Sequence, residues 1–150
     1  MENLSSIWWE SGRILLTRLS GEVTIRDIEH WERSLIEAYN QINDHEIFKI
    51  FINLFGFKAI DLEAHKRYRS TIPLVLSKYG WRVGYPDMFE EANNLKLSTI
   101  RGIRCVGAAH IHQDASKIEK YQELYAHNRE QYFTDPDKGY AWIEELSLGG

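Results

Sequence analysis

The sequence predicts a single α/β domain over residues 1–150, with the element order β-β-α-β-α-β-α-β-α. Three observations support this prediction: an apolar hairpin opens the chain, a continuous apolar run stands near its centre, and amphipathic segments separate the strand-like runs. Hydrophobic residues make up 43% of the 150 residues and charged residues 27%. A chain of this size and composition can bury a sizeable core.

The opening segments predict two paired strands followed by a helix. Residues 10–12 form a short glycine-containing connection between apolar residues 7–9 and 13–19, which favours an antiparallel hairpin. Thr24 stands three residues before Asp27, a variant of the capping box. Apolar residues then recur every three or four positions, and they predict a helix over about residues 25–42.

The apolar run at residues 47–54 predicts a strand in the middle of a sheet, because both of its faces must be covered. Lys49 is expected to reach solvent along its stem. The loop that follows, residues 56–63, joins this strand to a helix that runs from about residue 62 into the seventies. Asp61 is in position to cap that helix.

An aromatic insertion is predicted at about residues 72–95. Its prolines and glycines exclude one uninterrupted helix, and three interpretations remain open: a packed extension, a lid or an oligomer surface. Tyr79, Trp81 and Tyr85 are candidate ligand- or partner-binding residues, since large aromatic side chains anchor ligands and interfaces. Core packing or homodimer contact is the alternative for all three.

The rest of the chain predicts two further strands and two helices. Residues 102–109 indicate a buried strand, and Asp114 stands at the N-cap position of a helix. Residues 132–133 indicate a short edge strand. The sequence Asp-Pro-Asp at residues 135–137 marks the start of a last helix over about residues 136–147.

The order of these segments resembles the STAS domain superfamily, and most closely its SpoIIAA-like branch. The resemblance is carried by residues 13–24, 50–54 and 59–61, and by residues 130–133 followed by 141–143. It implies a mixed four- to five-stranded sheet with helices largely on one face. It also implies a cytoplasmic protein that acts by binding a protein partner or a small ligand.

Family members of the anti-sigma-factor antagonist type are switched by phosphorylation of a serine just after the loop aspartate. Asp61 matches that aspartate, but Leu62 and Glu63 stand where the hydroxyl residues would be. A leucine has no oxygen to phosphorylate, so we expect no serine switch. The SpoIIAA-like branch also resembles the lipid-binding Sec14 fold, which implies a small apolar ligand.

Phe57, Asp61 and His65 are the candidate binding residues of the loop and the helix start. Asp61 and His65 are four positions apart, so on a helix they could form an acid–base couple. If Asp61 caps the helix, its side chain points back to the amide groups and the couple is lost. The sequence favours capping.

His110 and His112 are two positions apart at a strand end, a spacing that places both side chains on one face. Two neutral imidazoles can bind a divalent metal, so these histidines are the candidate metal ligands. A metal-dependent or acid–base enzyme built on them is one alternative function. A polar strand end that leads into the Asp114 cap is the other interpretation.

Composition and missing motifs exclude several classes. The net charge of −4 and the pI of about 5.9 argue against nucleic-acid binding. No apolar run is long enough to span a bilayer, and the single Cys105 fits a reducing cytoplasm. No phosphate-binding glycine loop, nucleophile elbow or cysteine cluster occurs, so no cofactor is expected.

The sequence therefore favours a non-enzymatic regulatory or small-ligand-binding module. The enzyme built on the two histidines stays an alternative, and so does a structural homodimer formed through the insertion.

Overall fold

The computed structural model describes residues 4–84 and 95–149. Within these residues the chain forms seven strands and four α-helices. In chain order they are β1 (Leu4–Trp9), β2 (Ile14–Leu19), β3 (Gly21–Val23), α1 (Ile25–Tyr39), β4 (Ile47–Asn53), β5 (Phe57–Ala59), α2 (Leu62–Ser77), β6 (Arg104–Ile111), α3 (Ala115–Tyr125), β7 (Glu130–Phe133) and α4 (Pro136–Glu145).

Five strands form one mixed sheet in the order β1-β2-β4-β6-β7. β1 pairs antiparallel with β2, and the other three pairs are parallel. This confirms the predicted α/β class, the opening hairpin, the central position of β4 and the edge position of β7. β3 and β5 pair separately as a short parallel ribbon that the sequence did not predict, because three residues are too few to show an alternating pattern.

Three helices cover one face of the sheet and one covers the other, as expected for helices largely on one face. Side chains of α1, α2 and α3 pack into the larger hydrophobic cluster, around Trp31, Tyr68 and Ile118. Ile143 of α4 packs into a smaller cluster on the opposite face, with Phe51 and Ile111. None of the helices in the described residues is both long and apolar enough to cross a membrane.

Both faces of β4 are buried, which explains its continuous apolar sequence. Ile50 and Ile52 face the three-helix side, and Phe51 faces α4. The expectation that Lys49 reaches solvent was wrong: only 3% of the residue is exposed. Its Nζ donates to the main-chain oxygens of Glu144, at 3.1 Å, and Leu146, at 2.8 Å. Lys49 therefore caps the carboxyl end of α4, where the helix dipole favours a cation.

The predicted helix starts are confirmed. Thr24 and Asp27 form a reciprocal capping box at α1, and Asp61 and Asp114 each accept a main-chain N–H at the starts of α2 and α3. Asp135 caps α4, with Pro136 at its first position. These caps satisfy amide groups that a helix start leaves without partners.

The predicted insertion begins later than expected. Residues 72–77 complete α2, which passes through Pro73 and ends at Ser77. Gly80 then adopts a φ of +73°, a conformation that favours glycine and turns the chain away from the helix axis. The part of the predicted insertion at residues 85–94, including the candidate Tyr85, lies outside the described residues.

Candidate functional site

Two adjacent cavities lie where the carboxyl ends of β4 and β6 meet the first turns of α2 and α3. Ligands of parallel α/β sheets commonly bind at this end of the strands. The first cavity, which we call the well, has a volume of about 30 Å³, room for about two water-sized groups. The second, which we call the groove, has a volume of about 510 Å³ and opens to solvent. His112 and Lys117 line both cavities.

The walls of the well combine aliphatic side chains, tyrosine rings and basic side chains. They are Leu54, Tyr68, His110, Ile111, His112, Lys117, Ile118, Tyr121 and Tyr132. The groove is more polar, and its lining residues are Phe57, Lys58, Ala59, Asp61, Leu62, His65, His112, Asp114 and Lys117. An apolar group of a ligand thus fits the well, and a polar group fits the groove.

The groove brings together residues that the sequence had assigned to separate candidate sites. Phe57, Asp61 and His65 of the predicted loop site line the groove together with His112 of the predicted histidine pair. His110 lies in the well. Lys117, common to both cavities, was not predicted, although it stands in the first turn of the helix that Asp114 was expected to cap.

Tyr79 and Trp81 lie elsewhere. The Tyr79 ring stacks on Tyr39 with centroids 4.4 Å apart, inside the core. Trp81 packs against the same core, with its ring 6.0 Å from that of His127. Core packing, the alternative left open by the sequence, describes the positions of both aromatics. Neither lines the well or the groove.

Asp61 acts as a helix cap. Its Oδ1 accepts the N–H of Ala64 at 2.8 Å, and its main-chain oxygen accepts the N–H of His65. The carboxylate is thus directed at the helix amides, as the capping interpretation required, and the acid–base couple with His65 is not formed. Phe57 stacks on Tyr68 with centroids 4.2 Å apart and is only 5% exposed, so it supports the wall of the groove.

His112 has a fixed proton arrangement. Its Nδ1 accepts the main-chain N–H of Asp114 at 3.0 Å, so the neutral ring must carry its proton on Nε2. Burial, and next the Lys117 ammonium, lower the pKa of His112 to about 4 against the opposing effect of Asp114. At neutral pH this ring is therefore an uncharged hydrogen-bond donor.

His65 is held in the neutral form by the same surroundings. Burial lowers the pKa of its imidazole, and the positive charges of Arg69 and Lys117 lower it further. The two histidines of the groove are thus both neutral near pH 7, and lysines supply the positive charge.

A buried hydrogen-bonded pair, His110 and Glu130, lies at the well, which His110 lines. Nε2 of His110 lies 2.7 Å from Oε2 of Glu130, and the two rings of His110 and Tyr132 stack at 4.7 Å. The other oxygen of Glu130 accepts the N–H of Gly84 at 3.0 Å and lies 3.6 Å from Nε2 of His127. Glu130 was not predicted as a site residue, because its position at the start of a four-residue strand carries no local signal for a buried carboxylate.

His110 and His112 both line the well, but the described residues add no third side chain that would complete a metal site with them. Among residues 4–84 and 95–149, no group of three or more histidine, cysteine, aspartate or glutamate side chains is placed to hold a metal ion. Nδ1 of His112 and Nε2 of His110 already take part in hydrogen bonds within the protein.

No protein-family model matches the chain, and no curated protein matches it. The resemblance to the STAS superfamily stays a prediction that rests on the order of its motifs.

Proposed function

We propose that this protein is a non-enzymatic, small-ligand-binding module of the STAS, SpoIIAA-like type, without the serine switch. The observation that carries the proposal is the apolar well that opens into a polar groove at the carboxyl ends of β4 and β6. The mixed sheet and the helix that follows the Asp61 loop support the STAS-like part. Leu62, 67% exposed, occupies the first position of that helix.

The lining of the well favours a largely apolar ligand. Leu54, Ile111 and Ile118 supply aliphatic surface, and tyrosine rings complete the walls. Apolar walls with a few polar groups at one end are typical of small-molecule sites, because burial drives binding and the polar groups set orientation.

α3 is the wall that can move to admit such a ligand. Ile118 is the one side chain that α3 buries among its eleven residues, while Tyr121 and Tyr125 are only partly buried against the core. Elements with few buried apolar contacts open at low free-energy cost. A molecule larger than the well can therefore enter by displacing α3 from β7.

The proposal places the protein in the cytoplasm. Cys105 is a free, buried thiol, and burial raises its pKa, so it stays in the unreactive protonated form.

Two-dimensional NMR with a set of small apolar molecules tests the binding function. We expect ligand-dependent shifts of the amides of Ile111, His112 and Ile118, and none at Ile36, which is exposed on α1. Ile118→Trp fills the well and should abolish these shifts, whereas Ile36→Trp should leave them intact. Binding that shifts only residues outside the well and the groove would contradict the proposal.

The hydrogen bond between His110 and Glu130 favours a second candidate, an acid–base enzyme. A buried carboxylate that accepts a hydrogen bond from an imidazole fixes the orientation and tautomer of the ring, an arrangement used in general base catalysis. Hydrolysis of p-nitrophenyl esters of short carboxylic acids, lost in His110→Ala at a temperature at which that variant is still folded, would support this function. Equal rates with wild type and His110→Ala would eliminate it for ester substrates.

A further inference from the structure

We propose that the ligand is an unbranched monocarboxylate, with its carboxylate in the groove beside His112 and Lys117 and its apolar chain in the well. This inference rests on the proposed function, because it names the class of molecule bound at the same site.

His112 presents a hydrogen-bond donor to a ligand in the two cavities. Since Nδ1 is occupied by the N–H of Asp114, the proton of the neutral ring is on Nε2, at the opposite edge. Over the described parts of the chain, no acceptor contacts this Nε2. A ring that lines both cavities thus offers a donor of fixed tautomer, and an acceptor group on the ligand would satisfy it.

Lys117 places a positive charge at the same two cavities as that donor. Lys117 lines both cavities, and its Nζ lies 5.7 Å from the centre of the Tyr121 ring. Its ammonium lowers the pKa of both His112 and His65, which shows that its field reaches across the groove. A carboxylate at this place would receive a charge-assisted hydrogen bond, about twice as strong as a neutral one.

The charged side chains that line the groove favour a ligand with one negative charge. The lining of the groove includes two lysines, Lys58 and Lys117, and two aspartates, Asp61 and Asp114, besides its neutral histidines. Both aspartates accept amide N–H groups at helix starts, so those amides are not available to a ligand. Phosphate sites rely on such amides and on several cations. The groove suits a monoanion better than a dianion.

The small volume of the well limits the apolar part of the ligand. The well holds about two water-sized groups, and Leu54, Ile111 and Ile118 are among its lining residues. This volume accepts the end of an unbranched chain, whereas a ring or a branched chain requires α3 to move. Affinity should therefore rise with chain length for linear ligands and fall on branching.

The experiment compares hexanoate, 1-hexanol and hexyl phosphate by NMR titration of the wild-type protein at pH 7.5. We expect shifts at His112 and Lys117, and hexanoate should bind at least about tenfold tighter than hexanol, the effect of one hydrogen bond to a charged group. Hexyl phosphate, mostly a dianion at this pH, should bind more weakly than hexanoate. 2-Ethylbutanoate, a branched isomer of hexanoate, should also bind more weakly.

Two variants and two matched controls locate the carboxylate. Lys117→Met keeps the apolar stem and should lower hexanoate affinity about tenfold while hexanol affinity stays unchanged. His112→Phe keeps a ring and should lower hexanoate affinity by a similar factor. The affinity for hexanol, whose hydroxyl accepts only a neutral hydrogen bond from this ring, should fall less. Lys120→Met changes an exposed lysine of the same helix, and His30→Phe changes an exposed histidine of α1. Both controls should bind hexanoate like wild type.

The outcomes separate this inference from the function on which it rests. If hexanol binds as tightly as hexanoate, or hexyl phosphate binds tighter, the monocarboxylate inference fails and the binding function stands. If none of these probes nor any apolar molecule shifts the residues of the well, both fail. The wild-type comparison decides the question even if a variant does not fold.

Discussion

Oε2 of Glu130 lies 2.7 Å from Nε2 of His110, so a fully buried carboxylate on β7 is bound to an imidazole on the neighbouring strand β6. The second oxygen of Glu130 accepts the N–H of Gly84. A buried carboxylate is tolerated only when it is paired and hydrogen-bonded. The pair therefore ties the edge strand to the wall of the well.

Glu130→Ala should destabilise the fold strongly, because it leaves His110 and the N–H of Gly84 without their acceptor. Each buried donor that is left without its acceptor typically lowers the free energy of unfolding by about 1 to 3 kcal/mol. Urea unfolding monitored by tryptophan fluorescence measures this. Glu123→Ala, at an exposed position of α3, should change stability by less than about 0.5 kcal/mol. A similar small effect at Glu130 would contradict the structural role of the pair.

Asp61→Ala should lower the free energy of unfolding by about 1 kcal/mol, since the N–H of Ala64 loses its side-chain acceptor. Asp61→Asn keeps an oxygen in the capping position and should be close to wild type. Chemical denaturation of the three proteins at pH 7 provides the comparison. If Asp61→Ala and Asp61→Asn lowered the free energy of unfolding equally, the negative charge of Asp61 would matter and its capping hydrogen bond would not.

Lys49→Met should destabilise the carboxyl end of α4. The variant removes the donor to the oxygens of Glu144 and Leu146, and we expect a loss of about 1 to 2 kcal/mol at pH 7. Hydrogen exchange of the α4 amides should speed up. Lys138→Met, at an exposed position of the same helix, serves as the control and should exchange like wild type.

The effect of Lys49→Met should also depend on pH. Burial lowers the pKa of Lys49, with Arg129 adding to this and Glu144 opposing it. Above the lowered pKa of the folded state and below the ordinary value of 10.5, the unfolded chain binds more protons, so the contribution of Lys49 to stability rises with pH. The stability difference between wild type and Lys49→Met should therefore be larger at pH 10 than at pH 7. A stability difference between wild type and Lys49→Met that decreases as the pH rises would contradict this prediction.

The sequence predicted those features that depend on neighbours along the chain. A cap such as Asp61 acts on an amide three residues ahead, and the burial of residues 47–54 follows from their own composition. The loop, the helix starts and the two histidines were predicted on this basis. That His112 meets the loop and the start of α2 in one groove, with His110 in the adjacent well, depends on β4 and β6 being adjacent and parallel, which no local pattern specifies.

Contacts between distant parts of the chain could not be predicted in this way. Lys49 and Glu144 are 95 positions apart, and His110 and Glu130 are 20 apart. Each pair depends on strand order and register, since a lysine or glutamate in an isolated segment indicates an exposed position. Tyr79 was a candidate for binding for the same reason: its partner Tyr39 belongs to α1, which is distant in the sequence.

Lys117→Met should raise the pKa of both His112 and His65, because the Lys117 ammonium lowers both values in the folded protein. NMR titration of the imidazole Cε1–H signals should place the wild-type midpoint of His112 at about 4. Burial, the larger cause, is little changed by the substitution, so the pKa of His112 should stay below its ordinary value of 6.5. Lys120→Met should leave both titrations unchanged.

The lowered pKa of His112 also predicts how the stability of the fold changes in acid. Between the folded pKa of His112, about 4, and the ordinary value of 6.5, the unfolded chain binds a proton that the folded chain does not, so stability falls as the pH falls. Lys117→Met should raise the folded-state pKa of His112 and so narrow this pH interval. The free energy of unfolding should then fall less steeply with decreasing pH, as measured by urea unfolding at several pH values from 4 to 7. An unchanged slope, together with an unchanged His112 midpoint, would show that Lys117 does not act on the groove at all.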